Sequence, residues 1–198
     1  MKFRTILLFG APGSGKGTQG KIIGTIPGFN HVACGDLFRN LRIDSPLGRV
    51  FIEYSSAGQL VPDKPTIELW SQHIHTQTQT GRFHPERDTL VLDGIPRNVS
   101  QAIMLKDTLD VRAIFSLTCS DVTKLTERLQ RRALRDNRLD DANIDVIRQR
   151  LETYERETRP VLDYYGPEIT HTIDATQEPV RVLHCILSAI VQIGRAHV

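Results

Sequence analysis

Apolar residues along the chain follow two rhythms. Short, mostly apolar runs of strand length occur at Thr5 to Phe9, His31 to Ala33, Thr89 to Leu92, Val111 to Leu117 and Ile169 to Ile173. Between them apolar residues recur at helical spacing over roughly 16–26, 36–42, 46–57, 65–79, 100–109, 121–134, 143–164 and 178–192. Strands that alternate with helices pair in parallel, because a parallel neighbour is reached only through a crossover. The pattern therefore predicts an α/β fold, a five-stranded parallel sheet with helices on both faces and ligands at the C-terminal strand ends.

Two stretches exceed what that scheme needs. Residues 36–80 place several helices between two strands and read as a small helical insert, whereas 133–140 is short and polar between two helices and reads as a lid. The run Thr76-Gln-Thr-Gln-Thr80 reads as an exposed helix end, and Ile193 to Val198 as a frayed tail.

The first apolar run leads into Gly10-Ala-Pro-Gly-Ser-Gly-Lys-Gly-Thr18, with a helix expected behind it. Glycines at 10, 13, 15 and 17 let the backbone turn several N–H groups into one concavity, and the helix N-terminus adds its positive dipole end. This is a phosphate-binding loop: Lys16 would reach the outer phosphates and Thr18 could hold Mg²⁺. The usual pattern has Ser or Thr directly after the lysine; here Gly17 intervenes.

Composition narrows the class. A chain of 198 residues suits one domain and can bury about 70% of its unfolded surface. No apolar run approaches the ~20 residues of a membrane span, and Met1 to Arg4 run straight into the first strand without room for a signal peptide, so a cytoplasmic protein is expected. A net charge of +2 gives no basis for a nucleic-acid partner. Cys34, Cys119 and Cys185 lie far apart with no CxxC pair, which indicates neither a disulfide framework nor a zinc site.

Leu90-Val-Leu-Asp93 delivers a carboxylate to the sheet edge, where Asp93 suits Mg²⁺ or its waters. Gly94-Ile95-Pro96-Arg97 follows, with Gln101 four residues beyond Arg97. Arg128 and Arg132 stand four apart on a predicted helix and share a face that leads to Arg138 in the lid, and Arg150 opens the next segment.

Seven motifs in this order, GAPGSGKGT at 10–18, CGDLFR at 34–39, GQLVPD at 58–63, DGIPRNVSQA at 93–102, RLQRR at 128–132, RLDD at 138–141 and RLETY at 150–154, resemble the adenylate kinases, of the nucleoside monophosphate kinase group, over about residues 4–192. The resemblance implies the phosphate-loop NTPase fold over 1–198 as one kinase domain, a mobile acceptor-binding insert at 33–62 and a short lid at 131–141. It implies Mg²⁺-dependent transfer of a phosphoryl group from ATP to AMP, without structural zinc; nothing in the sequence demands more than a monomer, and neither nucleic acid nor membrane is expected as a partner.

Residue by residue, the resemblance implies that Gly13, Ser14, Gly15, Lys16, Gly17 and Thr18 cradle the ATP phosphates. Arg128 and Arg132 would bracket ATP, and the backbone of Gln177 would touch its adenine. Thr18 and Asp93 would hold Mg²⁺ through water. Arg39, Arg97, Arg138 and Arg150 would hold the acceptor phosphate and the transferring group. Gln101 would read the acceptor base in a pocket lined by Gln59, Leu60 and Val61, with Cys34, Gly94, Ile95 and Pro96 alongside. Asp140 and Asp141 would orient lid arginines. By the same resemblance, Lys16 and the arginines 97, 128, 132, 138 and 150 would carry the chemistry. This chain departs from the pattern at Cys34, where Thr or Ser is usual, at Ile95, where Phe is usual, and over 142–149, one residue longer than usual.

A catalytic base is not needed, since an acceptor phosphate with second pKa about 6 already carries its attacking oxygen ionised at neutral pH. Within the group, a pyrimidine (UMP or CMP) kinase is the alternative. A guanine-reading nucleotide switch would need an NKxD run, and the sequence contains none.

Overall fold

The computed structural model describes residues 2–136 and 138–195. Its strands are β1 (Phe3–Phe9), β2 (Phe29–Ala33), β3 (Thr89–Asp93), β4 (Leu109–Thr118) and β5 (Thr170–Asp174). They pair in parallel in the order β2-β3-β1-β4-β5. After β1 the chain builds β2 and β3 on one side, then crosses to β4 and β5 on the other. That reversal opens a crevice at the C-terminal end of β1.

The helices are α1 (Lys16–Ile23), α2 (Cys34–Arg39), α3 (Pro46–Ser56), α4 (Asp63–Gln79), α5 (Val99–Leu105), α6 (Val122–Asp136), α7 (Ile144–Thr153), α8 (Pro160–Tyr165) and α9 (Pro179–Arg195). The pleat sends alternate residues of each central strand to opposite faces. Leu7, Phe9, Leu90, Leu92 and Ile114 pack with Trp70 and Ile74 of α4, Ala102 and Leu105 of α5 and Val161 of α8. Ile6, Leu8, Val91, Ala113 and Phe115 pack on the other face with Ile23 of α1 and Val182 and Ile186 of α9. Both faces are covered, which explains why the central strands read as continuous apolar runs. No described helix is long and apolar enough to cross a membrane.

Three expectations need correction. The stretch 36–80 is not an insert throughout, because α4 buries Trp70 and Ile74 in the sheet's core. The single helix expected over 143–164 is interrupted by a π turn at Tyr154–Thr158, where the Arg159 N–H donates to the Tyr154 carbonyl at 2.9 Å. Pro160 accounts for it: proline has no N–H to give and its ring excludes the carbonyl four residues back, so the helix widens by a residue instead of breaking. At the C-terminus, Ile193 to Arg195 continue α9 instead of fraying, and 196–198 of the expected tail lie outside the described residues.

Candidate active site

The loop after β1 is held by its surroundings. Gly10 has φ +143°, and a Cβ there would stand 2.5 Å from the Leu117 carbonyl of β4; at Gly13, with φ +84°, it would stand 2.8 Å from the Leu125 carbonyl of α6. Only glycine fits where two neighbouring backbones approach this closely. The loop delivers α1, whose first-turn N–H groups have no intrahelical acceptor. The Ser14 hydroxyl is buried without a hydrogen-bond partner among the described residues, an unused capacity suited to a phosphate oxygen.

Lys16 folds back over this hollow, its Nζ donating to the Gly10 carbonyl at 2.6 Å and the Ala11 carbonyl at 3.1 Å. Burial lowers its pKa to about 8, with Asp93 opposing and Arg97, Arg132 and Arg150 adding to the shift. Register pairs Leu8 of β1 with Asp93 of β3. A Cβ at Gly17 would lie 3.4 Å from Asp93 Oδ2, an ordinary contact distance that places the carboxylate directly beside the loop. Thr18 is exposed on the same rim. A hydroxyl and a carboxylate are the hard oxygen donors Mg²⁺ takes when phosphates and water complete its shell. Among the described residues no three His, Cys, Asp or Glu side chains gather to hold a metal by themselves.

Around the hollow each arginine is held by a carboxylate or a carbonyl. Arg132 of α6 makes a two-pronged pair with Asp141 at 2.6 and 3.0 Å, and Arg150 of α7 bonds Asp140 at 2.8 Å and also Asp141, which is fully buried. Arg138 donates to Asp36 at 3.1 Å, and Arg39 to Asp140 at 3.0 Å and Asp36 at 3.3 Å. These pairs tie α2 to the turn Leu139–Asp141, about a hundred residues later in the chain. Burial, reinforced by neighbouring arginines, lowers the pKa of Arg150 and Arg138. Burial alone would raise the Asp140 carboxyl, but Arg150 and Arg39 hold it below its ordinary value. Arg128 donates to the Ala175 carbonyl at 3.0 Å, near Gln177, whose amide donates to the Asp174 carbonyl at 3.2 Å.

On the opposite side Arg97 is anchored through Nε to the Gly94 carbonyl at 3.0 Å, leaving its outer nitrogens for a ligand. Gln101 is 1% exposed, its Oε1 accepting from the Arg97 N–H at 2.7 Å and its Nε2 donating to Asp63 Oδ1 at 2.9 Å. Asn98 caps α5 by accepting from the Gln101 N–H at 2.8 Å, and donates to the same Asp63 oxygen at 2.8 Å. Cys34 opens α2 with its thiol pushed up to about 11, chiefly by burial, so it remains protonated.

One cleft of about 690 Å³ collects these groups. Gly13 to Thr18, Cys34, Arg39, Gln59, Leu60, Val61, Asp93, Gly94, Pro96, Arg97, Gln101, Arg128, Arg132, Arg138, Arg150 and Gln177 all line it. Ile95 does not: at 1% exposure it packs in the core beneath the cleft's floor. Sequence reasoning passed over Asp36 and Asp63, although both stand inside quoted motifs, and over Arg131 and Arg135, which line the cleft one and three residues from Arg132.

A family model described as Adenylate kinase matches residues 8–170. The adenylate kinase of Cyanothece sp. is 37% identical over 180 residues, covering 87% of this chain and 87% of its own. That of Parabacteroides distasonis is 34% identical over 172 residues, covering 84% and 86%, and that of Nocardia farcinica 36% identical over 188 residues, covering 93% and 98%. A match spanning the phosphate loop, the acceptor-side motifs and the arginine-bearing helices, shared with relatives alike over nearly their full length, means that the chain belongs to the adenylate kinase family.

Proposed function

We infer that the protein is an adenylate kinase that reversibly transfers the terminal phosphoryl group of ATP to AMP, giving two ADP. The observation that carries this reading is the convergence of Lys16 and six arginines (39, 97, 128, 132, 138 and 150) on one cleft. Two nucleotides bring several negative charges together, and planar guanidinium forks bind phosphate oxygens in pairs. The acceptor's ionised oxygen attacks without a base, so these residues align two phosphates and neutralise charge as it moves between them. One arginine aimed at such a transition state is worth roughly 10³–10⁵ in rate.

The loop 13–18 holds the donor phosphates, with Arg128, Arg132 and the Gln177 backbone on the donor side. Arg39, Arg97, Arg138 and Arg150 hold the acceptor phosphate and the transferring group, and Gln101 faces the acceptor base with Gln59 to Val61 alongside. Thr18 and Asp93 would hold Mg²⁺ through water, and that ion would neutralise charge on the donor phosphates. Segments 33–62 and 131–141 move over the two nucleotides and exclude water that would otherwise hydrolyse ATP. The Arg39–Asp140 and Arg138–Asp36 bonds support this reading, since they join the two segments through residues that all line the cleft.

Incubation with ADP and Mg²⁺ tests the reading: ATP and AMP form in equal amounts if it is right, and neither forms if the protein only binds nucleotide. Transfer from ATP to CMP or UMP in preference to AMP would replace it with the pyrimidine alternative. Arg97→Ala is expected to lower kcat/KM for the acceptor by about 10–100-fold, the worth of one charge-assisted contact, with KM for ATP unchanged. Initial rates at varied AMP and ATP check this, and an effect confined to ATP would relocate the acceptor site.

A further inference from the structure

A glutamine facing a base is ambiguous by itself, because its amide presents donor and acceptor in either order. An adenine edge offers an amino donor beside a ring-nitrogen acceptor. A 6-oxopurine offers the reverse, a carbonyl acceptor beside a ring N–H. The same side chain reads one or the other according to which way its amide is turned.

In this protein the amide is turned by its surroundings. Its Oε1 takes the Arg97 N–H at 2.7 Å, and its Nε2 gives a hydrogen to Asp63 Oδ1 at 2.9 Å. An ionised carboxylate only accepts, so an inverted Gln101 would set its oxygen against the Asp63 oxygen and its amino group against the Arg97 N–H. Asp63 holds Asn98 in the same sense at 2.8 Å, and the Asn98 oxygen takes the Gln101 N–H. As the first residue of α4, the carboxylate also stands at a positive helix end that favours its charge. Half of the Gln101 hydrogen-bonding capacity is used in this way. One Oε1 lone pair and one Nε2 hydrogen remain, in a fixed order that pairs with adenine where the oxygen faces the 6-position of the base.

We propose that Asp63 is a specificity-determining positioning residue: it fixes the orientation of the Gln101 amide and so excludes 6-oxopurine monophosphates from the acceptor site. This rests on the reading of Gln101 as the group that faces the acceptor base. Asp63 is not itself part of the cleft wall. It acts through Gln101.

Initial-rate kinetics with AMP and with IMP as acceptors, ATP being the donor, test it in the unmodified protein and in Asp63→Asn. Asparagine keeps the shape but can present an N–H to an inverted Gln101. The ratio of kcat/KM for AMP over IMP should fall about tenfold, the scale of one hydrogen bond to a charged group, through the acceptor KM and with KM for ATP unchanged. Asp63→Ala, which removes the acceptor oxygen altogether, should move the ratio the same way and serves if the asparagine variant does not fold. An unchanged ratio in a folded variant, or an equal loss toward both acceptors, overturns the proposal while leaving AMP as the acceptor. An unmodified protein that uses IMP as well as AMP overturns the base reading itself.

Discussion

Lys16→Met is expected to lower kcat by about 10³-fold or more, the cost of removing one preorganised charge from a transferring group. The fold should be intact, with a melting temperature no lower than the parent's, because the side chain spans a loop hollow, fills no core and carries a charge that burial disfavours. Pre-steady-state transfer and a thermal melt together check this; near-normal turnover would dismiss the loop as a phosphate site. The pH profile supplies an independent measurement. With its pKa near 8, Lys16 is charged below that pH and neutral above it, so kcat/KM for ATP should fall as the pH rises through about 8. Folding lowers this pKa from 10.5, so between the two values the unfolded chain binds more protons and stability rises with pH.

Asp141→Asn should cost both stability and turnover. The carboxylate is fully buried between Arg132 and Arg150, which are 25% and 16% exposed. Breaking a fully buried pair costs about 3–5 kcal/mol; with the arginines partly in water about 2–3 kcal/mol is expected, or roughly 5–10 °C in melting temperature. Two guanidinium groups lose their bearing at once, and misplacement of about 1 Å is enough to lower kcat about 10²-fold. Calorimetry and steady-state rates read the two effects. A variant that melts early yet turns over normally when folded would show that Asp141 serves the fold alone.

The parts of this site that were legible in the sequence are those whose geometry is local. The phosphate loop is contiguous, Arg128 and Arg132 share a helix face by spacing, and Asp93 ends a strand whose central place follows from its apolar run. What escaped is long-range or set by irregular backbone. Arg39 meets Asp140 and Arg138 meets Asp36 across about a hundred residues, and no periodicity relates positions on separate elements. Ile95 follows β3 in a turn where strand alternation no longer holds, so nothing local reveals that it faces inward. Trp70 sits in a helix of mixed composition, and only the packed sheet shows α4 to be a core element. The proline at 160 was visible, but a residue forbidden in a regular helix predicts a disturbance without saying whether the chain kinks, stops or widens.

If the cleft's arginines bind the nucleotide phosphates as proposed, the carboxylates that hold them make substrate binding an ion exchange. Without Asp36, Asp140 and Asp141, several guanidinium groups would face one another bare, repelling each other and attracting any anion that diffused in. With those counter-ions built into the chain, a newcomer must displace an acid already seated. A lone monovalent ion does this poorly against a two-pronged carboxylate. A nucleotide pair that presents several phosphate oxygens together can exchange many contacts in one event. Asp36, the most exposed of the three, would be the acid that gives way, so that Arg39 and Arg138 pass from one set of oxygens to another without standing unpaired, while the fully buried Asp141 keeps its hold on Arg132 and Arg150.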